Sequence, residues 1–106
     1  MIAEALTIAN RRRIYDFASV NQLPVLYDEN RFLIRDGGLM FYGPDDDDSF
    51  DRVAALVDRI LKGSKPQDLP FEQPKLFKFV INAKTTKALG LEIPASIRVM
   101  ADEVIE

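Results

Sequence analysis

Residues 23–44 read LPVLYDENRFLIRDGGLMFYGP, and this stretch decides the fold. Pro24 ends the segment before it, and Val25, Leu26 and Tyr27 make a short apolar run bounded by Asp28, Glu29 and Asn30, which predicts a buried strand rather than a helix. Residues 30–35 read as a short helix. Gly37 and Gly38 stop it, one of them in the left-handed cap conformation, and Leu39, Met40, Phe41 and Tyr42 form a second apolar run closed by Gly43 and Pro44. Strand, helix and strand in succession is the grammar of an α/β sheet.

The flanks extend the pattern. Upstream, Ile14, Phe17 and Ala18 place an amphipathic stripe on a helix over residues 8–22. Downstream, Phe50, Val53, Ala54, Val57, Ile60 and Leu61 recur at helical spacing, with Asp47 or Asp48 as the N-cap and Lys62 then Gly63 as the stop. This stripe is expected to be buried and to carry much of the stability. Residues 64–75 contain Pro66, Pro70 and Pro74, and an extended crossing segment with little secondary structure is expected there. Phe77, Phe79 and Ile81 alternate with Lys78, Val80 and Asn82 to give a third strand. Residues 83–89 form a helix capped by Gly90, and Pro94 opens a last short helix reaching Ala101.

The fold class is therefore α/β, a mainly parallel sheet with helices on both faces. Residues 1–106 form a single segment with no internal repeat. Three short strands make a narrow sheet, and residues 1–9 open into a helix with no strand before it, so the chain is expected to be part of a larger α/β fold.

Composition narrows the function classes. Fourteen Lys and Arg against seventeen Asp and Glu leave a net charge of −3, without the positive excess that a phosphate backbone demands, so no nucleic-acid partner is expected. The chain has no cysteine and no histidine. That excludes disulfides, thiolate and histidine metal sites, and His-based nucleophilic catalysis. No enzymatic activity and no cofactor are expected. No apolar run approaches the length that spans a bilayer, and the first residues lack the basic start and apolar centre of a signal peptide.

The polar clusters have local explanations. Counted from Asp45, the sixth and twelfth positions of an EF-hand loop would be Phe50 and Leu56 instead of Gly and Glu. Asp45 to Asp48 thus read as a helix start, with no metal, and Arg11 to Arg13 point to different sides of a helix as a solvated run. Gly37, Gly38 and Gly43 match no phosphate-loop spacing and set turns. Tyr27 and Asp28 end one strand, with Glu29 beyond, and Tyr42 and Gly43 end the other, where open α/β sheets place ligand crevices. These four are the candidate ligand-binding residues; tyrosines that merely cover the edge of the sheet are the equal alternative.

The ordered motifs NRRRI (10–14), LPVLY (23–27), GGLMFYGP (37–44), VDRILKGSKP (57–66), DLPFEQP (68–74), FVIN (79–82), KTTKALGL (84–91) and ADEVI (101–105) carry a family resemblance. Together they resemble the C-terminal part of the uncharacterised ABC-transporter substrate-binding proteins of bacteria. The resemblance implies a three-layer αβα lobe of periplasmic-binding-protein type I and a two-lobed protein that closes on a small organic or amino-acid-like solute. It further implies a membrane permease as partner, a periplasmic or membrane-anchored extracellular location, and family members about three times this length. A truncated lobe that self-associates, as a homodimer, and binds no ligand by itself is the alternative expectation.

If the aspartates only start a helix, calcium or magnesium should move the melting temperature no further than an equal change in ionic strength, because specific ligation stabilises the native state by mass action. Thermal melts across a calcium series check this; a saturable rise of many degrees would contradict it.

Overall fold

In the computed structural model, which describes residues 1–28 and 31–106, four strands form one sheet in the order β1, β2, β3, β4. They are β1 (Leu26–Tyr27), β2 (Met40–Pro44), β3 (Phe77–Asn82) and β4 (Glu103–Ile105). The helices among the described residues are α1 (Ala5–Ala9), α2 (Arg11–Val20), α3 (Arg31–Arg35), α4 (Asp46–Leu61), α5 (Ala83–Ala88) and α6 (Ala95–Met100). β1 runs parallel to β2, with Tyr27 opposite Phe41, and β3 runs parallel to β4, with Ile81 opposite Val104. The expected α/β class holds. Glu29 and Asn30, the latter the expected start of the short helix, lie outside the described residues.

The chain divides into two units, Met1–Gly43 with Lys78–Glu106, and Pro44–Phe77. In the first unit, the expected helix over 8–22 is two helices that meet at Asn10, whose side-chain amide donates to the Leu6 carbonyl at 2.9 Å. Such side-chain bonding to backbone competes with the helical ladder. α3 forms because Leu33 and Ile34 bury completely, at 1% and 0% exposure. It stops where the Gly37 amide donates to the Ile34 carbonyl and the Gly38 amide to the Leu33 carbonyl. This paired bonding needs a positive φ, and Gly37 supplies one at +131°. The core gathers Tyr27, Leu33, Ile34, Phe41 and Val80.

The two apolar runs are not buried throughout, as continuous apolar strands would be. In β2, Phe41 and Gly43 are buried while Tyr42 is exposed; in β1, Tyr27 is buried while Leu26 is half exposed. Period-2 geometry explains it: successive side chains point to opposite faces, and at these positions only one face is covered. Two further departures are local. Pro94 is the residue before α6 instead of its first, and β4 is a strand that the three-residue EVI pattern did not announce. Asp102 secures it, accepting from the Phe79 amide at 2.7 Å and donating its own amide to the Phe79 carbonyl at 2.8 Å.

Asn82 ties the first unit together. Its side-chain amide donates to the Ile34 carbonyl at 2.7 Å, and its side-chain oxygen accepts from the amides of Lys84 and Thr85, capping α5. Its backbone amide donates to the Leu39 carbonyl, just before β2, and its carbonyl accepts from the Thr86 hydroxyl. One residue, 4% exposed, thus joins α3, the entry to β2, the end of β3 and the start of α5.

In the second unit the Asp45 side chain accepts from the Asp47 amide at 3.2 Å, so the cap of α4 lies two residues before the expected Asp47. Asp46, Asp47 and Asp48 then occupy the first turn, where free amides favour negative charge. A 3-10 turn forms at Pro66–Asp68. Arg52 on α4 donates twice to Glu72, at 2.8 and 3.1 Å, and these bonds hold the Glu72 carboxyl below the usual carboxylate range. The expected burial of the α4 stripe is corrected by its exposure: Phe50, Val53, Val57, Ile60 and Leu61 are all exposed, and no residue of the helix is buried. The physical reason is that this unit has one α-helix among its described residues, so no second layer is there to meet an amphipathic face.

The contrast between the units is measurable. Val57→Asp should change stability by less than about 1 kcal/mol, as exposed substitutions do. Asn82→Ala removes an N-cap and one of two hydrogen bonds to the Ile34 carbonyl, which should cost about 1–3 kcal/mol. Urea unfolding of the two variants checks both values.

Candidate functional site

The carboxyl ends of β1 and β2 bring three of the four candidate residues together. Carrying the register one residue past Tyr27 and Phe41 sets Asp28 beside Tyr42, because paired parallel strands advance in step. Asp28 is exposed, and its carboxylate accepts from the Ala3 amide at 2.9 Å. Tyr42 is 55% exposed. Gly43 follows it, buried, and has no room for a side chain: a Cβ there would stand 2.9 Å from the Asp28 carbonyl oxygen and 2.8 Å from the Phe41 ring. The glycine is what lets the end of β2 approach the end of β1 so closely.

Tyr27 sits apart from this group. Its side chain is 1% exposed and meets Tyr15 edge to face, with ring centroids 5.9 Å apart and planes at 73°. The period-2 alternation that turns Leu26 outward turns Tyr27 inward. The Tyr15 hydroxyl donates to the Leu33 carbonyl at 2.9 Å, fixing its ring against α3. Burial pushes both phenols up to about 12; the Asp36 charge adds to this for Tyr15 against the opposing Arg11, and Tyr15 itself adds to it for Tyr27. Arg11 is held close by Asp36, at 2.6 Å.

Asp28, Tyr42 and Gly43 therefore present one carboxylate, one exposed ring and a close-packed backbone. A carboxylate accepts from an ammonium or hydroxyl group, and a ring covers an apolar body. The Ala3 amide belongs to this group and was missed in the sequence: nothing in the residue type of an alanine announces a hydrogen bond made by its backbone.

The family model described as ABC transporter substrate binding protein matches residues 1–105. Among solved structures, the chain is similar to an ABC domain in complex with L-Trp from Streptococcus pneumonia, at 26% identity and a TM-score of 0.80 over 93% of this chain and 34% of that one. It is also similar to a conserved domain protein from Vibrio cholerae O1 biovar eltor, at 21% identity and a TM-score of 0.85 over 97% of this chain and 34% of that one. A ligand-free, open substrate binding protein with adhesive properties from Clostridium difficile is similar at 21% identity and a TM-score of 0.70, over 98% of this chain and 34% of that one. The chain spans about a third of the length of each of these solved structures. No curated protein matches it.

The buried phenols make a pH prediction. An unfolded tyrosine ionises near roughly pH 10, while Tyr15 and Tyr27 keep their protons to about 12 in the native state. A native pKa above the unfolded one gives stability that is fully present below about pH 10 and is lost as the pH rises through about 12. Urea midpoints across that window should fall, and Tyr27→Phe should make the fall shallower.

Proposed function

We propose that this chain, which belongs to the family of ABC transporter substrate-binding proteins, supplies part of a lobe that binds a small organic, amino-acid-like solute and delivers it to a membrane permease. The observation that carries the reading is the meeting of Asp28, Tyr42 and Gly43 at the carboxyl ends of two parallel strands, the position where open α/β sheets take ligands. In this reading Asp28 accepts from the solute's ammonium or hydroxyl group, the Tyr42 ring lies against its apolar part, and Tyr27 supports the strand end from the core side. Binding proceeds by cleft closure and without chemistry, since the group holds no pair of nucleophile and base. Residues 64–75 act as a crossing segment. The protein works outside the cytoplasmic membrane, in the periplasm or anchored at the cell surface. The L-Trp held by the similar Streptococcus structure supports the class of solute.

A second reading follows from the exposed stripe of α4. Phe50 and Leu61 are 72% and 81% exposed, and a contiguous apolar face of this kind favours self-association over life as a monomer. In this reading the chain is a homodimer with a structural role and no ligand of its own.

Calorimetric titration of the chain with L-Trp and a panel of amino acids separates the two. The first reading expects saturable binding, weakened at least about fivefold by Tyr42→Ala or Asp28→Asn, the range for losing a charge-assisted hydrogen bond or an aromatic contact. If no amino acid binds while light scattering reports a dimer, the first reading falls and the second stands.

A further inference from the structure

We propose that the first unit holds a second small-ligand site, a hollow that takes a small organic cation. The hollow measures about 200 Å³ and opens between α2, the residues leading into β1 and β2, and the second half of α5. Asp28, Tyr42 and Gly43 follow the paired residues of the strands and are outside the lining, whereas Val25 and Leu39 precede them and belong to it, with Tyr27.

Three properties of the lining select the ligand. The floor is apolar, with Ala18, Leu39 and Leu89 at 7%, 4% and 3% exposure, and Ser19 and Thr85 join the lining beside it. A strongly hydrated inorganic ion would have to shed its water against a floor that returns few hydrogen bonds. The half-buried Tyr15 ring lines the hollow, with the buried Tyr27 ring packed edge to face behind it. An aromatic ring attracts an organic cation, and a neutral phenol adds no charge of its own. Asp16 is the one carboxylate of the lining. It is exposed, and among the described residues no hydrogen bond or ion pair engages it.

Size fits the same class. A dry cavity of about 150 Å³ accommodates benzene, so a hollow of about 200 Å³ accommodates a trimethylammonium group with a short tail. Arg12 and Arg13 stand four and three residues before Asp16 on α2, both exposed and outside the lining. Helical neighbours at that spacing act on one another, so these two cations oppose the binding of a third and set its affinity below what Asp16 alone would give.

The experiment titrates the chain with choline and, in parallel, with 3,3-dimethylbutan-1-ol, its neutral isostere, while following backbone amide shifts by NMR. Choline should bind saturably, with the largest shifts at Ala18, Leu39 and Leu89, and the isostere should bind more weakly. Asp16→Asn should weaken choline about fivefold, the scale of a partly exposed cation contact, and Arg12→Gln with Arg13→Gln should strengthen it. Ala88→Leu, at an exposed lining residue, should fill the mouth and abolish binding without disturbing the core. Equal binding of choline and isostere, shifts centred on Tyr42 and Gly43, or indifference to Ala88→Leu would overturn the assignment.

Discussion

The sheet and its covering helices hold their arrangement because a single buried residue, Asn82, satisfies partners on three other pieces of chain at once. Most buried polar side chains answer one neighbour. Asn82 offers a donor to α3, an acceptor to two amides of α5, and its own backbone groups to the entry of β2 and to Thr86. Such a network is exacting, because in a low-dielectric interior every unmet group is penalised. An aspartate at this position would keep the cap but would aim a carboxylate oxygen at the Ile34 carbonyl where an N–H is required. The residue type is therefore dictated from two sides, by α5 for the oxygen and by α3 for the amide.

Much of the architecture was legible because the signals were local. Gly37-Gly38 after Ile34 marks a helix end through backbone chemistry alone, and α3, β2 and β3 follow from the punctuation around them. The features that eluded sequence reasoning depend on partners distant in the chain. β4 is three residues long and is a strand through its pairing with β3, which Asp102 extends by clipping onto Phe79. Periodicity assigned the α4 helix correctly, yet periodicity reports only that one face is apolar. Whether that face is covered depends on what packs against it, and no residue of this unit buries the stripe.

The candidate site was legible in the same uneven way. Being at the carboxyl end of a strand is a property of sequence, so Asp28, Tyr42 and Gly43 were found together. Orientation across the pleat is a property of register, and a continuous apolar run hides it; Tyr27 consequently turned inward to Tyr15 instead of outward to Tyr42. The steric demand on Gly43 came from the Asp28 carbonyl and the Phe41 ring, neither of which a glycine advertises. The hollow lined by Tyr15 and Asp16 was invisible for a related reason: its walls come from α2, α5 and the two strand entries, and no single stretch contains them.

The second unit leaves the sheet at the end of β2 and returns at the start of β3, and the Asp45 amide closes its base on the Leu76 carbonyl at 2.9 Å. In polymer terms it is one loop between two neighbouring strands. The entropy of closing such a loop grows only logarithmically, about 0.6 kcal/mol for each doubling of its length. Insertions or deletions within Pro44–Phe77 therefore bear lightly on the strands they connect. Folding rate feels the same loop more sharply: β1, α3 and β2 are neighbours in sequence and can assemble early, whereas β3 must find β2 across the entire excursion. The amide of Asn82, which meets Ile34 forty-eight residues away, belongs to that later step.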